Sequence, residues 1–177
     1  MAVEQWQPNF ASQIQMMQYN NIVAILGANS DVGQRIANSI SGQYPVLLMD
    51  ADKEALKESQ KAIEAINPTA NITLLECSKE ASWEADIVII AVEKEEEQQL
   101  IAERINEFTT CKIVIQIRPE NNSMQHLQHK LPYAKFMLVD WGNTAAIVEG
   151  KDEMALSVTG EIIHLCGLQP IFKKSLI

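Results

Sequence analysis

The sequence has few cysteines and no long apolar run, and both shortages narrow the kinds of protein it can be. Cys77, Cys111 and Cys166 are far apart and show no C-x-x-C spacing. This pattern argues against a disulfide framework or a zinc site and predicts reduced thiols. No apolar stretch approaches the length of a transmembrane helix, and the N-terminus lacks the basic start and apolar core of a signal peptide. We therefore expect a cytoplasmic protein.

Positive charge is also scarce. Lysine and arginine number 14 against 23 aspartates and glutamates, so the net charge is -9, and the isoelectric point is about 4.8. An acidic surface argues against nucleic acid and anionic membranes as partners. Of the three histidines, His126 and His129 are three residues apart, but no third ligand is evident and no metal site is predicted.

The length of 177 residues and the ordinary apolar fraction of 47% predict one globular domain with a sizeable core. The first part of the chain differs in being rich in glutamine and asparagine, so we divide the sequence into an N-terminal arm, 1–20, and a domain, 21–177. Apolar residues of the arm recur at helical spacing, namely Trp6, Phe10, Ile14 and Met17. Such a stripe would pack on the domain or on a partner subunit, which would make the protein a homodimer.

The most informative stretch is 21–40, NIVAILGANSDVGQRIANSI. An apolar run ends at Gly27, a turn leads to Gly33, and apolar residues then recur at helical spacing, which predicts a strand, a glycine turn and a helix. Gly27 lets the chain leave the strand sharply, Gly33 lets the helix pack closely, and the N–H groups at the helix start can face a pyrophosphate. The spacing G-x-x-x-x-x-G is looser than G-x-G-x-x-G, with Ser30 at a possible middle position. A turn without a ligand therefore stays an alternative.

An acidic residue follows the second predicted strand. The apolar run 46–49 ends at Asp50, about two dozen residues after the first glycine, where a carboxylate can accept hydrogen bonds from the adenosine ribose. This favours NAD over NADP. Asp52 is interpreted as a helix N-cap instead. No arginine stands beside Asp50 to receive a 2′-phosphate, although Lys53 is close enough to leave NADP open.

Strands and helices alternate along the rest of the chain, which predicts a doubly wound, mostly parallel sheet. Further strands are predicted at 72–75, 85–92, 112–117, 136–139, 145–148 and, as an edge strand, 168–172. Helices are predicted at 52–66, 93–108, 121–131 and 151–166. The run 85–92 suits a central strand buried on both faces, and its end lies at the edge where ligands bind in such sheets.

The loop after the sixth predicted strand is the best candidate for the substrate side, because it leaves the carboxyl end of that strand. Its candidate side chains are Asp140, Trp141 and Asn143. A loop whose tryptophan packs locally fits the same pattern equally well.

Several segments together give a family resemblance: ILGANSDVG before a helix, LLMD, ADIVIIAV, KIVIQIRP and the closing IVEGKDEMALSVTGEIIHLCGLQPI. Over 20–173, this set resembles the N-terminal dinucleotide-binding domain of three groups of enzymes. They are the prephenate dehydrogenases, the coenzyme-F420-dependent NADP oxidoreductases and the 6-phosphogluconate-dehydrogenase-like enzymes. The resemblance implies a Rossmann fold with NAD or NADP as cofactor. It also implies a pyrophosphate side formed by Gly27, Asn29, Ser30, Asp31 and Val32. Asp50 would contact the ribose, and Ala91 and Val92 would line the nicotinamide-side edge.

The departures from these families also carry information. A helical C-terminal domain usually follows in those enzymes, and we expect a fold that lacks it. Prephenate dehydrogenases carry a His-Pro pair after the sixth strand, where this sequence has 139–142, VDWG, so no catalytic residue can be assigned. GANSDVG also looks like the GANSGIG turn of short-chain dehydrogenases. Those enzymes need Tyr-x-x-x-Lys, whereas Tyr133 and Lys135 are two apart and cannot share a helical face.

Two functions are compatible with the sequence. The first is an NAD(P)-dependent dehydrogenase or reductase that acts on a small molecule of unknown identity. The second is a non-catalytic module that binds or senses a nucleotide, because no acid/base pair is evident. A Rossmann fold kept without any ligand is a third possibility, since Asp31 would place a carboxylate near the expected phosphates.

Overall fold

The structure is a computed structural model that describes residues 4–5, 21–119 and 126–174. Its strands are β1 (Glu4–Gln5), β2 (Val23–Leu26), β3 (Val46–Met49), β4 (Ile72–Leu75), β5 (Ile87–Ile90), β6 (Ile113–Pro119), β7 (Lys135–Trp141), β8 (Ala145–Gly150) and β9 (Gln169–Lys174). Its α-helices are α1 (Asp31–Ile40), α2 (Lys53–Ile66), α3 (Ser78–Glu84), α4 (Glu95–Ile105) and α5 (Glu153–Leu165). Short 3-10 helices cover Asn106–Phe108 and Leu127–Lys130.

The described strands form one sheet in the order β1-β9-β8-β7-β6-β5-β2-β3-β4. The stretch from β7 to β4 is parallel throughout, β8 is antiparallel to β7, and β9 is parallel to β8. The chain winds outward from β2 through β3 to β4, then returns and winds the other way from β5. This order confirms the predicted doubly wound, mostly parallel sheet and places the reversal of strand order between β2 and β5.

The two central strands are short. Their residues are apolar because both faces of each strand are covered. All four residues of β2 and all four of β5 are buried. Their register pairs Val23 with Ile87 and Leu26 with Ile90, and the Ala91 N–H continues the ladder by donating to the Leu26 carbonyl at 2.8 Å. The carboxyl ends of β2 and β5 therefore lie side by side.

Each face of the sheet carries its own apolar core. One core joins the sheet to α1, α2 and α5, with Ile36, Leu56 and Ile162 among its buried members. The other joins the sheet to α3, α4 and the 3-10 helix after β6, with Ile101 and Leu127 among its buried members. Helices on both faces are what right-handed crossovers on the two sides of the reversal produce.

Most predicted elements are present, and the differences have local causes. The helix α3 was not predicted, because it spans seven residues and buries only Ser78, Ala81 and Ser82, too few for a clear helical period. Within the predicted helix 121–131, residues 127–130 form a 3-10 helix, and 120–125 lie outside the described residues.

The prediction that 168–172 forms an edge strand is wrong, because β1 pairs with the outer side of β9. The apolar stripe predicted for the N-terminal arm lies outside the described residues. None of the helices in the described part of the chain has the length and apolarity that a membrane span requires.

Candidate functional site

The turn after β2 is shaped by a glycine that no other residue could replace without strain. Gly27 has φ of 89°, in the left-handed region that side chains rarely adopt. A Cβ atom at Gly27 would lie 2.6 Å from the backbone nitrogen of Val92 and 2.7 Å from its Cγ1 atom. The turn therefore packs directly against the chain that leaves β5.

The start of α1 is closed by a serine. Ser30 Oγ accepts a hydrogen bond from the Gly33 N–H at 3.0 Å and donates one to the Gly27 carbonyl at 2.9 Å. A Cβ atom at Gly33 would lie 2.3 Å from that same carbonyl oxygen, so the helix can approach the turn only with glycine here. Ser30 is the N-cap, while the neighbouring Asp31 is exposed.

The N–H groups of the turn fall into two sets, those that donate within the protein and those left without an acceptor in the described part of the chain. Five of them donate to oxygen atoms of four residues, namely Met49, Asp50, Gly27 and Ser30. Among the described residues, no such partner is present for the N–H groups of Asp31 and Val32. They belong to the first turn of α1, where the helix dipole favours an anion.

Asp50 lies beside the turn and is joined to it. Its Oδ2 atom accepts from the Asn29 N–H at 3.0 Å, and its Oδ1 atom accepts from the Asp52 N–H at 3.3 Å. A carboxylate offers about four acceptor positions, so these two bonds leave room for hydroxyl donors. Lys53, the nearest cation in sequence, is exposed and pairs with Glu76 at 2.7 Å, which lowers the pKa of that glutamate.

Asn29 links the turn to the start of α2 and carries an unsatisfied acceptor. Its Nδ2 atom donates to the Asp52 backbone carbonyl at 2.9 Å. The Asn29 backbone carbonyl accepts a hydrogen bond from Gln34 Nε2 at 3.1 Å. Its Oδ1 atom is buried with no hydrogen-bond partner in the described part of the chain. Such an atom costs free energy unless a donor reaches it. Asp52 is the N-cap of α2, as predicted.

On the other side of the reversal, a glutamine is inserted between two strand ends. The Nε2 atom of Gln98, in α4, donates to the Val92 carbonyl at 2.8 Å and to the Ile117 carbonyl at 2.9 Å. Gln98 Oε1 accepts from Gln116 at 2.8 Å, and Gln116 Oε1 accepts from the Leu127 N–H at 3.1 Å. Both glutamine side chains are completely buried.

The sequence analysis missed these two glutamines, although each carries a signal. Gln98 stands three and four residues before the buried Ile101 and Ala102, so it lies on the apolar stripe of α4. Gln116 interrupts the apolar run of β6 that extends from Ile113 to Ile117. A polar residue at a core position is expected to have hydrogen-bond partners, and a pair of such residues suggests that they bond to each other.

Of the predicted substrate-side residues, Asp140 forms an ion pair. At the end of β7, its carboxylate faces Arg118 at the end of β6, with Nε–Oδ1 at 2.5 Å and Nη2–Oδ2 at 2.9 Å. The Arg118 side chain is 17% exposed and the Asp140 side chain is 29% exposed. This hydrogen-bonded carboxylate raises the pKa of Arg118 above its already high usual value. The pair connects the carboxyl ends of two neighbouring strands.

Trp141 and Asn143 point to different environments. Trp141 is 8% exposed and belongs to the core under α5, with the Arg35 guanidinium 5.9 Å from its ring centroid. Arg35 also donates to the carbonyl of Cys166 at the end of α5, at 2.8 Å and 3.2 Å. Asn143 is exposed in the tight connection between β7 and β8. Only Asn143 of the three is both exposed and outside an ion pair.

A cavity of about 250 Å³ lies away from the glycine turn, where β7 begins and β8 ends. Its lining includes Phe136, Leu138, Glu149 and Lys151. Lys135 and Asp152 at its rim form an ion pair at 3.4 Å, which leaves neither charge unbalanced. None of the residues of the glycine turn contributes to this cavity.

A comparison with family models identifies the fold. Residues 23–132 match the model of the TrkA-N domain, which covers more than half of the sequence. The chain belongs to the TrkA-N domain family. The match begins at β2 and includes the glycine turn, Asp50 and the end of β5. A comparison with curated protein sequences finds no significant match.

Solved structures similar to this TrkA-N domain include enzymes that use nicotinamide cofactors. Mycobacterium tuberculosis 3-hydroxyisobutyrate dehydrogenase matches with a TM-score of 0.71 and 15% identity, over 88% of this chain and 55% of that one. Plasmodium falciparum pyrroline carboxylate reductase with NADP bound matches with a TM-score of 0.63 and 12% identity, over 89% of this chain and 58% of that one. A candidate F420-dependent NADP reductase from an Arthrobacter species matches with a TM-score of 0.64 and 16% identity, over 86% of this chain and 84% of that one.

These likenesses are likenesses of fold. The domain spans about half to two thirds of the length of several of these proteins, from 47% to 65%. Together with the family, they confirm the Rossmann fold and the predicted resemblance to the dinucleotide-binding domains of dehydrogenases and reductases. They support a nicotinamide dinucleotide as the cofactor.

Proposed function

We propose that the chain binds NAD(H) in the crevice between the glycine turn and the end of β5, as the cofactor-binding part of an oxidoreductase. The observation that carries this proposal is a pair of N–H groups, those of Asp31 and Val32, which start α1 beside the Asp50 carboxylate and have no hydrogen-bond partner among the described residues. The pyrophosphate would contact the turn residues Gly27, Asn29, Ser30, Asp31 and Val32. Asp50 would accept from the adenosine ribose.

Three local features fit such a ligand, and one opposes it. Gly27 lets the turn pack against the end of β5, Gly33 lets the start of α1 approach the turn, and Asn29 Oδ1 is a buried acceptor that lacks a donor among the described residues. The Asp31 carboxylate opposes a phosphate. It is exposed, and solvent and salt weaken a repulsion of this kind. The site therefore suits a dinucleotide of modest affinity.

The preference for NAD(H) rests on charge. A 2′-phosphate would have to approach the Asp50 carboxylate, whose Oδ2 atom is held by the Asn29 N–H of the turn and whose Oδ1 atom is held by the Asp52 N–H. Lys53, the neighbouring cation that would have to offset this repulsion, is engaged with Glu76. A ribose with two hydroxyl groups can instead donate to Asp50.

When bound, the nicotinamide supplies or accepts the hydride, and the chain's own residues position it. Ala91 and Val92 would line this half of the cofactor, since they end β5 against the glycine turn. A small-molecule substrate would approach from the β6 and β7 side, where Asn143 is exposed. Asp140 and Trp141 would act there by holding the strand ends, because their side chains are engaged by Arg118 and Arg35.

A non-catalytic role is the second candidate, and the Arg118–Asp140 pair favours it. A general acid or base must be able to exchange a proton with the substrate. Asp140, the acidic group at the substrate side, accepts two hydrogen bonds from a permanently charged guanidinium. In this role, the domain would bind NAD(H) as a signal and would turn over no substrate.

Calorimetric titration with NAD, NADH, NADP and NADPH tests the proposal. Wild type should bind NADH saturably and NADPH about tenfold more weakly. Asp50→Ala should lose about tenfold in NADH affinity, because it removes the ribose acceptor, and should lose the preference over NADPH. Glu64→Ala, an exposed carboxylate near the far end of α2, is the matched control and should behave like wild type. If none of the four dinucleotides binds at millimolar concentration, the proposal is contradicted.

Turnover separates the two candidate functions. A panel of small oxo and hydroxy acids, with NADH or NAD present, is followed by the change in nicotinamide absorbance. Oxidation or reduction that depends on Asp50 supports the oxidoreductase. Saturable binding without turnover of any substrate supports the non-catalytic module.

A further inference from the structure

We propose that Gln98 is a positioning residue for the nicotinamide half of the bound dinucleotide, with Gln116 fixing its orientation. The proposal rests on the NAD(H) site described above and assigns one of its halves to a buried pair of amides. Neither glutamine lies at the surface, so neither would contact the ligand itself.

Gln98 is placed where two neighbouring strands separate. The paired register of β5 and β6 ends at Ile90 and Gln116, and beyond this pair the two backbone segments continue to Val92 and Ile117. The amide of Gln98 bridges the carbonyl groups of these two residues, with distances of 2.8 Å and 2.9 Å. The Gln98 side chain therefore joins the two segments by hydrogen bonds at the point where the backbone hydrogen bonds between β5 and β6 end.

The orientation of this amide is fixed by its neighbour. Gln98 Oε1 accepts from Gln116 Nε2 at 2.8 Å, and Gln116 Oε1 in turn accepts from the Leu127 N–H at 3.1 Å. A rotated Gln98 amide would direct its NH2 group at the NH2 group of Gln116 and its oxygen at two carbonyls. Because the bonds lie in a buried, low-dielectric environment, losing any of them is costly.

The bridge sets the position of the nicotinamide-side edge relative to the glycine turn. On one side, the Val92 nitrogen lies only 2.6 Å from the position that a Cβ atom on Gly27 would take, so the edge already packs against the turn. On the other side, Gln98 holds the Val92 carbonyl toward β6. Among the described residues, no hydrogen bond joins this bridge to the adenosine side, at Asp50 and the start of α1. A change at Gln98 should therefore affect one half of the ligand.

Titrations with NADH and with ADP distinguish the two halves, because ADP lacks the nicotinamide riboside. Gln98→Met keeps the length of the side chain and removes its hydrogen bonds. We expect about a tenfold loss in NADH affinity and less than about a twofold change for ADP. Gln99→Met is the matched control. Gln99 is the next residue of α4, where its amide bonds the Glu95 carboxylate at 3.3 Å, and its replacement should leave both affinities unchanged.

Equal losses for NADH and ADP in Gln98→Met would show a purely structural role and overturn the proposal, and so would an unchanged NADH affinity. If Gln98→Met does not fold, Gln116→Met, which leaves the two carbonyl bonds of Gln98 in place, should show a smaller loss confined to NADH. An unchanged ratio of the two affinities in that variant overturns the proposal as well. Wild type that binds neither ligand contradicts the NAD(H) site itself, whereas equal affinity for both contradicts only the role of Gln98.

Discussion

At the scale of the residue, the glycine turn depends on two independent constraints that meet at Gly27. Its φ of 89° is strained for any residue with a Cβ atom, and the space for that atom is occupied by Val92. Gly167 shares only the first constraint, since its φ is 75° and no atom lies within 4 Å of its Cβ position. The two glycines therefore separate backbone strain from packing.

Gly27→Ala should lower the free energy of unfolding by about 2 to 4 kcal/mol, as the sum of left-handed strain and overpacking. Gly167→Ala should cost about 1 kcal/mol, from strain alone. Urea denaturation followed by circular dichroism measures both. Equal losses in the two variants would mean that the chain beyond β5 relaxes away from Gly27 freely. The close packing of the glycine turn against Val92 would then contribute nothing to the free energy of unfolding.

At the scale of the element, α5 packs against α1 with acidic and phenolic groups between them. Burial raises the pKa of Glu161 in α5 above its usual value of 4.5. Burial and the charge of Glu161 together raise the pKa of Tyr44, whose buried hydroxyl has no hydrogen-bond partner in the described ranges. Arg35 at the other end of the interface donates to the last turn of α5. The charged form of Glu161 is therefore disfavoured in the folded protein.

Glu161→Gln should stabilise the protein at neutral pH but not near pH 4. The pKa of Glu161 is higher in the folded state, so the folded state binds the extra proton between the two pKa values. The wild type accordingly loses stability as the pH rises from about 4.5 through the folded pKa. Urea denaturation at several pH values measures this. Glu153→Gln, exposed on the first turn of α5, should give no gain at any pH, and a gain equal to that of Glu161→Gln would contradict the assignment.

At the scale of the whole molecule, the net charge of -9 surrounds a site proposed for an anionic ligand. Two N–H groups and a helix dipole attract the pyrophosphate over a short distance, whereas the total charge repels it over a long one. Salt screens the long-range part more strongly, because the Debye length is about 10 Å at 0.1 M. The approach of the cofactor should therefore respond to salt in the direction opposite to that of a basic protein.

The association rate constant of NADH should rise with sodium chloride between low and moderate ionic strength, by about twofold or more. Stopped-flow fluorescence of NADH measures it. Adenosine, an uncharged competitor for the same half of the site, is the control, and its binding should be insensitive to salt. A rate constant that falls with salt would show that a local positive field at the turn outweighs the total charge.

The parts of the protein that could be predicted from the sequence are those with local signals. The apolar runs of β2 and β5, the glycines at positions 27 and 33, and the acidic residue that follows β3 lie within short stretches. Each of them predicts its conformation from its own residues. Asp52 was correctly predicted as a cap for the same reason. The doubly wound sheet follows from their alternation along the chain.

Which residues far apart in the sequence come into contact depends on the tertiary structure. The bridge of Gln98 to the Ile117 carbonyl joins residues 19 apart, and the pair of Arg118 and Asp140 joins residues 22 apart. The contact of Arg35 with the end of α5 spans 131 residues. A sequence shows that a polar residue stands at a core position but not which partner satisfies it, because that depends on strand order and on register. The same reason explains why the candidate substrate loop turned out to hold a buried tryptophan and an ion pair.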